Sequence, residues 1–330
     1  MESRILGRSG IEISPIGVGC WAIGGPFFHE TRVVAYGKVD DAESIRLLHR
    51  AFDLGINFYD TADVYGAGHS ERIVGQAFAG RRDKVVIATK FGWVFDETTK
   101  ITTDRDLSPA YIRRACEASL RRLNTDYLDL YQFHVGGATV EEAAPVRDVL
   151  ESLVAEGKIR WYGWSTPFVD RGAFFAEGEH CAAIQQPFNV MAGDPALLAV
   201  CEQHRLASLN RGPLGMGLLT GKYTPDSRFN PDDMRRDWKL NEGWQHQTLE
   251  RLADVRDVLT ARGHTLAQGA LAWLLARSPV TIPIPGAKTV AQLEENAGVL
   301  TKGSLSADQM AQIDALLQPT QAQYQPFFGG

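Results

Sequence analysis

The chain has 330 residues, of which 44% are hydrophobic and 22% charged, and its formal net charge is −6. These fractions are typical of a globular protein and exclude a disordered, collagen-like or coiled-coil chain. A mildly acidic chain without a long basic run has no electrostatic reason to bind nucleic acid or an anionic membrane surface.

The N-terminus begins Met-Glu-Ser-Arg, without the apolar run of a signal peptide, and no stretch approaches the roughly 20 apolar residues that span a bilayer. The four cysteines are far apart, without a partner at metal-ligand spacing: Cys20, Cys116, Cys181 and Cys201. We therefore expect a cytoplasmic protein without membrane contacts or a metal site, in which the cysteines are buried as small hydrophobic side chains.

Short apolar runs alternate with helix-period segments along the chain, which is the pattern of repeated βα units around a parallel sheet. A candidate hairpin comes first, with strands at 5–6 and 11–13 around a turn at 8–10. Eight strand-like runs follow, at 16–20, 56–59, 85–89, 127–133, 159–164, 182–185, 206–209 and 280–283. Eight such units favour a closed (β/α)8 TIM barrel, because a doubly wound sheet usually stops at about six strands. We expect one domain over residues 1–330.

Several helices have clear start signals. Ser108 is placed as an N-cap with Pro109 at the first helical position, and apolar side chains then recur on one helical face from 112 to 123. Three further starts have the spacing of a capping box: Thr265 with Gln268, Thr289 with Gln292, and Ser306 with Gln309.

Three strand-to-helix connections are longer than usual, at 24–40, 92–107 and 212–247. Each begins at the carboxyl end of a strand, the end of a barrel where active sites are built. Their aromatic residues suit an apolar substrate pocket. The C-terminal tail, 318–330, carries Tyr324, Phe327 and Phe328, and we expect it to reach the same rim.

Four chemically active side chains fall at this rim. Asp60, Lys90 and His134 each lie at or just beyond the end of a strand, and Tyr65 follows Asp60 by five positions. A barrel would bring them together. An ordinary phenol, with a pKa of about 10, is a poor proton donor at neutral pH. A neighbouring ammonium would lower that pKa, the carboxylate would keep the ammonium charged, and the imidazole could donate a hydrogen bond to a substrate oxygen.

At these residues the sequence resembles the aldo-keto reductase superfamily, in its bacterial-type branch, over nearly its whole length. The segment 55–66 reads GINFYDTADVYG and is followed by GHSE at 68–71; the segment 123–134 reads LNTDYLDLYQFH. The runs GKIR at 157–160, GWS at 163–165, IPGAK at 284–288 and QLEEN at 292–296 also resemble family motifs. The resemblance implies a TIM barrel with an N-terminal β-hairpin, long loops on the C-terminal face and a C-terminal tail.

The resemblance also implies roles for single residues. Asp60, Tyr65, Lys90 and His134 would be the catalytic tetrad, with Tyr65 as the proton donor. The residues implied to bind the cofactor are Trp21, Ser165, Thr166, Gln185, Arg211, Pro213, Leu214, Gly215, Gly217, Lys222, Gly286, Lys288, Gln292, Glu295 and Asn296. Ser165 and Gln185 would hold the nicotinamide carboxamide. Arg211 would lie against the nicotinamide ring, and 213–222 against the pyrophosphate.

Three positions depart from the family pattern. Thr166 stands where family members usually have Asn, and Phe188 where Tyr is common. Gln292 occupies a position at which many NADP-preferring members have Arg, which leaves Lys288 as the main candidate for binding a 2′-phosphate. The cofactor is therefore expected to be NADP(H), with NAD(H) left open.

The expected function is reduction of an aldehyde or ketone to an alcohol by hydride transfer from NADP(H), with a small carbonyl or alcohol compound as the substrate. The same site can run backwards as an alcohol or sugar dehydrogenase. Two alternative hypotheses remain. One is a barrel aldolase that uses Lys90 as a Schiff-base nucleophile, and the other is a nicotinamide-binding regulatory subunit with little turnover. The sequence names neither the substrate nor the oligomeric state, monomer or homo-oligomer.

Overall fold

The computed structural model describes residues 3–317, so the expectation for the tail at 318–330 lies outside the described residues. In the described part the strands are β1 (Arg4–Ile5), β2 (Glu12–Ile13), β3 (Val18–Gly19), β4 (Phe27–His29), β5 (Arg32–Val34), β6 (Phe58–Asp60), β7 (Val86–Phe91), β8 (Trp93–Phe95), β9 (Ile101–Arg105), β10 (Leu128–Phe133), β11 (Ile159–Ser165), β12 (Cys181–Pro187), β13 (Ala207–Arg211) and β14 (Thr281–Pro283).

The α-helices of the same residues are α1 (Asp41–Asp53), α2 (His69–Ala77), α3 (Pro109–Leu123), α4 (Val140–Ala155), α5 (Val169–Ala176), α6 (Pro195–Gln203), α7 (Gly243–Thr260), α8 (Leu266–Arg277), α9 (Val290–Ala297), α10 (Val299–Lys302) and α11 (Ala307–Leu316). Short 3-10 segments cover Cys20–Ile23, Arg82–Lys84 and Gly215–Thr220. None of these helices is long and apolar enough to cross a bilayer.

Eight parallel strands form the barrel, in the order β3, β6, β7, β10, β11, β12, β13 and β14. The sheet closes between its first and last strands, where the Gly17 N–H donates to the Pro283 carbonyl (2.9 Å) and the Gly19 N–H donates to that of Pro285 (3.0 Å). A Cβ at Gly19 would lie 2.6 Å from the carbonyl oxygen of Ile284, so the closing seam requires glycine there. The expected (β/α)8 barrel is confirmed.

Each of the eight strand-like runs of the sequence overlaps a barrel strand, with bounds that differ by one or two residues in most cases. The N-terminal hairpin is confirmed as well, with Arg4 paired to Ile13 and Ile5 to Glu12. Its Leu6 and Ile13 pack in one buried cluster with Phe58 and Leu130 from the barrel strands. The hairpin therefore adds apolar side chains to the barrel interior. The four cysteines are buried and free, as expected.

The Ser108 cap and two of the three expected capping boxes are confirmed. The Ser108 side chain accepts the Tyr111 N–H at the start of α3, and capping boxes form at Thr265 and Ser306. At α9 the Thr289 side chain accepts the Gln292 N–H, but the Gln292 side chain accepts the backbone N–H of Lys288 instead of closing a box. That side-chain bond fixes the turn just before α9.

Two of the long connections contain a small sheet that the sequence did not reveal. Strands β4 and β5 of the first connection pair with each other, β8 and β9 of the second do the same, and β4 pairs in parallel with β9. Polar residues such as Thr102 and Thr103 interrupt any apolar alternation in β9. The two connections thus support each other above the barrel rim.

Candidate active site

The carboxyl ends of β6, β7 and β10 carry three polar side chains at one rim of the barrel. Asp60 is the last residue of β6, Lys90 the fifth of the six residues of β7, and His134 follows β10 directly. Parallel pairing fixes their heights, because Lys90 is in register with Gln132 of β10. The barrel therefore brings together the residues that the sequence singled out.

Lys90 is the centre of the cluster. Its Nζ donates to Asp60 Oδ1 (2.6 Å), to the Thr61 carbonyl (2.8 Å) and to Tyr65 Oη (3.1 Å). An ammonium group has three N–H donors, so these three acceptors use all of them. Lys90 is completely buried and Asp60 is 2% exposed. The charge is consequently fixed in position and is aimed at the phenol. The Thr61 carbonyl is a backbone partner, which no side-chain pattern in the sequence could have indicated.

His134 lies beside the phenol of Tyr65. The rings of Tyr65 and His134 are 5.8 Å apart between centroids and nearly perpendicular, at 77°. The His134 backbone N–H donates to the Phe91 carbonyl (2.8 Å), which holds the residue at the rim. Its Nδ1 is buried and has no hydrogen-bond partner among the described residues. A buried imidazole nitrogen left without a partner is a candidate contact for a bound ligand.

The environment shifts the pKa of each of these groups. For Lys90, burial alone would lower the pKa, but the Asp60 carboxylate and the Tyr65 phenol outweigh burial and the net shift is upward. For Tyr65, burial raises the pKa and the charge of Lys90 offsets only part of that effect. For His134, burial together with the positive charges of Lys90 and Arg211 holds the pKa well below its usual value. Lys90 is therefore charged, Tyr65 protonated and His134 neutral at pH 7. The lowering effect of Lys90 on the phenol was expected; the larger effect of burial was not.

The loop that carries Tyr65 is held by close backbone contacts. Gly66 has a φ of +62°, and a Cβ there would lie 1.8 Å from the Gly24 carbonyl oxygen. The Ser70 hydroxyl accepts from the Thr61 hydroxyl (2.8 Å) and donates to the Cys20 carbonyl (2.9 Å). Tyr65 is thus presented on a fixed turn.

Aromatic side chains form a wall beside this cluster. The Trp21 ring lies 4.7 Å from that of Tyr36 and 6.5 Å from that of Tyr65. Trp93 donates from Nε1 to the His134 carbonyl (3.3 Å). Trp21 and Trp93 also pack against a buried cluster that contains Phe27 from β4. The wall supports the expected apolar pocket and places Trp21 directly beside Tyr65.

The residues expected near a nicotinamide lie at the ends of the next strands. Ser165 ends β11, Arg211 ends β13, and Gln185 lies within β12 at 1% exposure. The Gln185 side chain donates from Nε2 to Asp60 Oδ2 (2.8 Å), which leaves its carbonyl oxygen as the group able to meet a ligand. The Thr166 hydroxyl donates to the Gly136 carbonyl (3.0 Å), so its hydrogen is used in a bond to the loop that follows β10.

The third long connection forms a compact segment over the end of β13. The 3-10 segment Gly215–Thr220 is kinked, because three of its residues have positive φ values: +55° at Gly215, +52° at Met216 and +96° at Gly217. Pro213 and Leu214 precede this segment, and Lys222 follows it. Arg235 fastens this segment, because it donates to both Asp233 carboxylate oxygens and to the Met216 carbonyl (2.8 Å). Arg235 belongs to no recognisable motif, so the sequence gives no signal for this role.

The last group of expected cofactor residues lies at the start of α9. Gly286 is exposed at the closing seam, while Gln292 and Glu295 are exposed on α9 and Asn296 is buried on it. Lys288 donates from Nζ to the carbonyls of Tyr36 (2.7 Å) and Lys38 (2.8 Å) in the first connection. An amino-terminal helix end with an adjacent lysine attracts anions.

These donors suit a dinucleotide. The rim between β11 and α9 presents the Ser165 hydroxyl, the cations of Arg211, Lys222 and Lys288, and the amino-terminal end of α9. Such a set offers hydrogen bonds at one end and positive charge at the other, as a nicotinamide carboxamide and a pyrophosphate require.

Comparison with known proteins gives a consistent result. Residues 15–318 match the model of the Aldo/keto reductase family. The aldo-keto reductase YhdN of Bacillus subtilis (strain 168) is 33% identical over 328 residues, covering 97% of this chain and 95% of that protein.

Solved structures agree over the same length. The glycerol dehydrogenase AKR11B4 from Gluconobacter oxydans superposes with a TM-score of 0.82 at 31% identity, covering 98% of this chain and 99% of that chain. An aldo/keto reductase from Klebsiella pneumoniae in complex with NADP and acetate superposes with a TM-score of 0.71 at 30% identity, covering 97% of each chain.

Proposed function

The chain belongs to the aldo/keto reductase family, and from that premise we propose that it is an NADP(H)-dependent oxidoreductase that reduces an aldehyde or ketone to an alcohol. The observation that carries the proposal is the buried Lys90 ammonium 3.1 Å from Tyr65 Oη, with the His134 ring 5.8 Å from the Tyr65 ring. This geometry supports proton delivery to an oxygen that lies between Tyr65 and His134.

The side chains would divide the work as follows. Tyr65, protonated at neutral pH, donates its proton to the carbonyl oxygen as negative charge develops there. Lys90 stabilises the phenolate that remains, and Asp60 keeps Lys90 charged and oriented. His134, neutral at neutral pH, donates a hydrogen bond to the same oxygen and polarises the carbonyl.

For the cofactor we propose NADP(H). The reduced nicotinamide, when bound, supplies the hydride that the carbonyl carbon accepts. Ser165 and the Gln185 carbonyl oxygen would hold the carboxamide, Arg211 and Lys222 would meet the ring and the pyrophosphate, and Lys288 would meet the 2′-phosphate. The complex of the Klebsiella pneumoniae relative with NADP supports this choice.

A second candidate is the reverse reaction, in which the enzyme works as an alcohol or polyol dehydrogenase. The similarity to the glycerol dehydrogenase AKR11B4 favours it. Oxidation requires Tyr65 as a phenolate that accepts the proton, and burial raises the pKa of Tyr65 above its usual value. At neutral pH the protonated phenol therefore favours reduction.

The rival readings have less support. A Schiff-base aldolase needs a neutral lysine, whereas the pKa of Lys90 is shifted upward by its neighbours in spite of burial. A regulatory subunit would bind nicotinamide and turn over little, and no described feature singles out a docking segment for a partner.

The proposal is tested by following NADPH consumption with a panel of aliphatic, aromatic and sugar-derived aldehydes and ketones. We expect turnover with at least one class, and tighter binding of NADPH than of NADH in a tryptophan-fluorescence titration. Nicotinamide binding without turnover across the panel would favour the regulatory reading. Borohydride trapping of a substrate on Lys90 without nicotinamide would favour the aldolase.

A further inference from the structure

Around the Asp60 carboxylate, the barrel interior contains polar side chains where aliphatic ones are usual. Layers of a TIM barrel are built by alternate strands and are dominated by branched apolar residues. Here the second, fourth and sixth strands of the barrel contribute Asp60, Gln132 and Gln185, which are 2%, 0% and 1% exposed. Buried amides are costly unless they are hydrogen-bonded, so their partners indicate what they do.

Both amides are directed at one oxygen of Asp60. Gln132 donates from Nε2 to Asp60 Oδ2 (2.9 Å), and Gln185 donates from Nε2 to the same oxygen (2.8 Å). Gln185 Nε2 also lies 3.2 Å from Gln132 Oε1, which ties the two amides to each other. Lys90 occupies the other oxygen, Oδ1. The carboxylate is therefore held at both of its oxygens and cannot rotate without breaking a hydrogen bond.

The orientation of Asp60 controls the direction of the Lys90 donors. All three N–H groups of Lys90 are used, one each by Asp60, the Thr61 carbonyl and Tyr65. A carboxylate that loses an amide donor attracts the ammonium more strongly, and the lysine then donates less effectively to the phenol. The phenolate form of Tyr65 would be less stabilised, and the pKa of Tyr65 would rise further.

Resting on the proposed function, we propose that Gln132 is a positioning residue for the proton transfer and acts on Tyr65 through Asp60 and Lys90. It is completely buried, lies in register with Lys90, and is not among the residues expected to bind the substrate or the cofactor. Gln185 makes a similar bond but lies at a position expected to meet nicotinamide, and its replacement would mix two effects. Gln132 therefore isolates the role of the amide layer.

The test is the Gln132→Met variant, which keeps the side-chain length and removes the donor. We expect kcat for carbonyl reduction to fall about tenfold, while KM for the carbonyl and Kd for NADPH change by less than about twofold. In the oxidation direction, the rise of kcat with pH should shift by about half a pH unit toward higher pH.

The matched control is Gln186→Met. Gln186 follows Gln185 on β12 and is 1% exposed. Its side chain donates to the Ser208 hydroxyl (2.9 Å) instead of to Asp60. Successive residues of a strand point to opposite faces, so this variant alters an equally buried amide outside the layer. If both variants lower kcat and shift the pH profile equally, the effect is general packing and the inference is wrong.

A second variant covers the case in which Gln132→Met does not fold. Gln132→Glu keeps the shape of the side chain but can donate to Asp60 only while its carboxyl group is protonated, so its kcat for reduction should rise as the pH falls. A profile as flat as that of the wild type would overturn the inference. A wild-type enzyme that reduces no carbonyl overturns the proposed function and this inference with it; an active wild type with unaffected Gln132 variants overturns the inference alone.

Discussion

At the scale of single residues, the site depends on how burial competes with neighbouring charge. Tyr65 and Lys90 are 3.1 Å apart, yet the net shift in the pKa of Tyr65 is upward because burial of the phenol outweighs the nearby ammonium. His134 is shifted in the opposite direction, since burial and two cations all disfavour its protonated form. These directions set the pH range in which each step can run.

The pH dependence of the two reaction directions should therefore differ. The pKa of His134 lies well below 6.5, so reduction should show no loss as the pH rises through 6.5. Because the pKa of Tyr65 lies above 10.0, reduction should decline only above pH 10, whereas oxidation should rise through the same range as the phenolate forms. Initial rates in both directions at saturating cofactor measure this. A reduction rate that falls between pH 6 and 8 would contradict the assignment.

The sequence identified Asp60, Lys90 and His134 because each lies at or just beyond a strand end, and Tyr65 because it follows Asp60 closely in the same connection. It did not predict the net pKa direction of Tyr65, which depends on how completely the loop buries the phenol. The sequence does predict the side of β10 that Gln132 faces, because Gln132 precedes His134 by two residues and alternate residues of a strand face the same side. What could not be read from the sequence was the reach of its amide to Asp60 across β7.

At the scale of elements, the connections above the rim are more ordered than their composition suggested. Strands β4, β5, β8 and β9 join the first two connections in one sheet, and the pair that links them, β4 with β9, lies about 70 residues apart in sequence. No local pattern reveals such pairing. In the third connection Arg235 forms a buried ion pair with Asp233 and also donates to the Met216 carbonyl, while its guanidinium lies against the Tyr36 ring of the first connection.

Loss of the Arg235 side chain should lower the affinity for NADPH more than it lowers kcat. In an Arg235→Met variant the contacts to Asp233, the Met216 carbonyl and Tyr223 are lost, and the segment 212–242 should loosen. We expect Kd for NADPH to rise about tenfold, with kcat at saturating NADPH within about threefold of the wild type. Fluorescence titration and limited proteolysis measure both effects.

The control for that variant is Arg228→Met in the same connection. Arg228 donates to the carbonyls of Pro225 and Ser227 and carries no described ion pair across the segment. Its replacement should leave both NADPH affinity and proteolysis unchanged. Equal weakening in the two variants would show that positive charge in general, and not the Arg235 contact, governs binding.

At the scale of the whole molecule, the closing seam ties the two ends of the described chain into one sheet. Strand β3 lies near the N-terminus and β14 is the last strand in sequence, and they are joined through Gly19 and Gly286. An open barrel would expose apolar strands at both edges. We therefore propose that the chain is a single folding unit despite its length.

A single unit should unfold in one transition. Denaturant curves from tryptophan fluorescence and from far-ultraviolet circular dichroism should coincide. Addition of NADPH at about 100 times its Kd should raise the free energy of unfolding by about 2.7 kcal/mol at 25 °C. Two separated transitions, or a shift in only one of the two signals, would mean that part of the chain folds independently.

The net charge of −6 is compatible with a polyanionic cofactor because cations are concentrated where they are needed. Arg211 ends β13, Lys222 and Arg235 lie in the third connection, and Lys288 lies between β14 and α9, all on the same face of the barrel. The acidic residues are distributed over the helices and loops, many of them in surface ion pairs. The overall charge therefore does not predict what a local site binds.

The role of Tyr65 as proton donor can be tested by a single-turnover measurement of NADPH consumption by wild-type and Tyr65→Phe enzymes with a carbonyl that the wild type reduces. Tyr127→Phe serves as the control, since that ring packs under Arg82 just before β10, at the opposite end of the strand from the site. We predict that Tyr65→Phe slows NADPH consumption at least about 100-fold with NADPH affinity unchanged, and that Tyr127→Phe matches the wild type. A Tyr65→Phe enzyme that binds NADPH and retains about half of the wild-type rate would show that Tyr65 is not the proton donor.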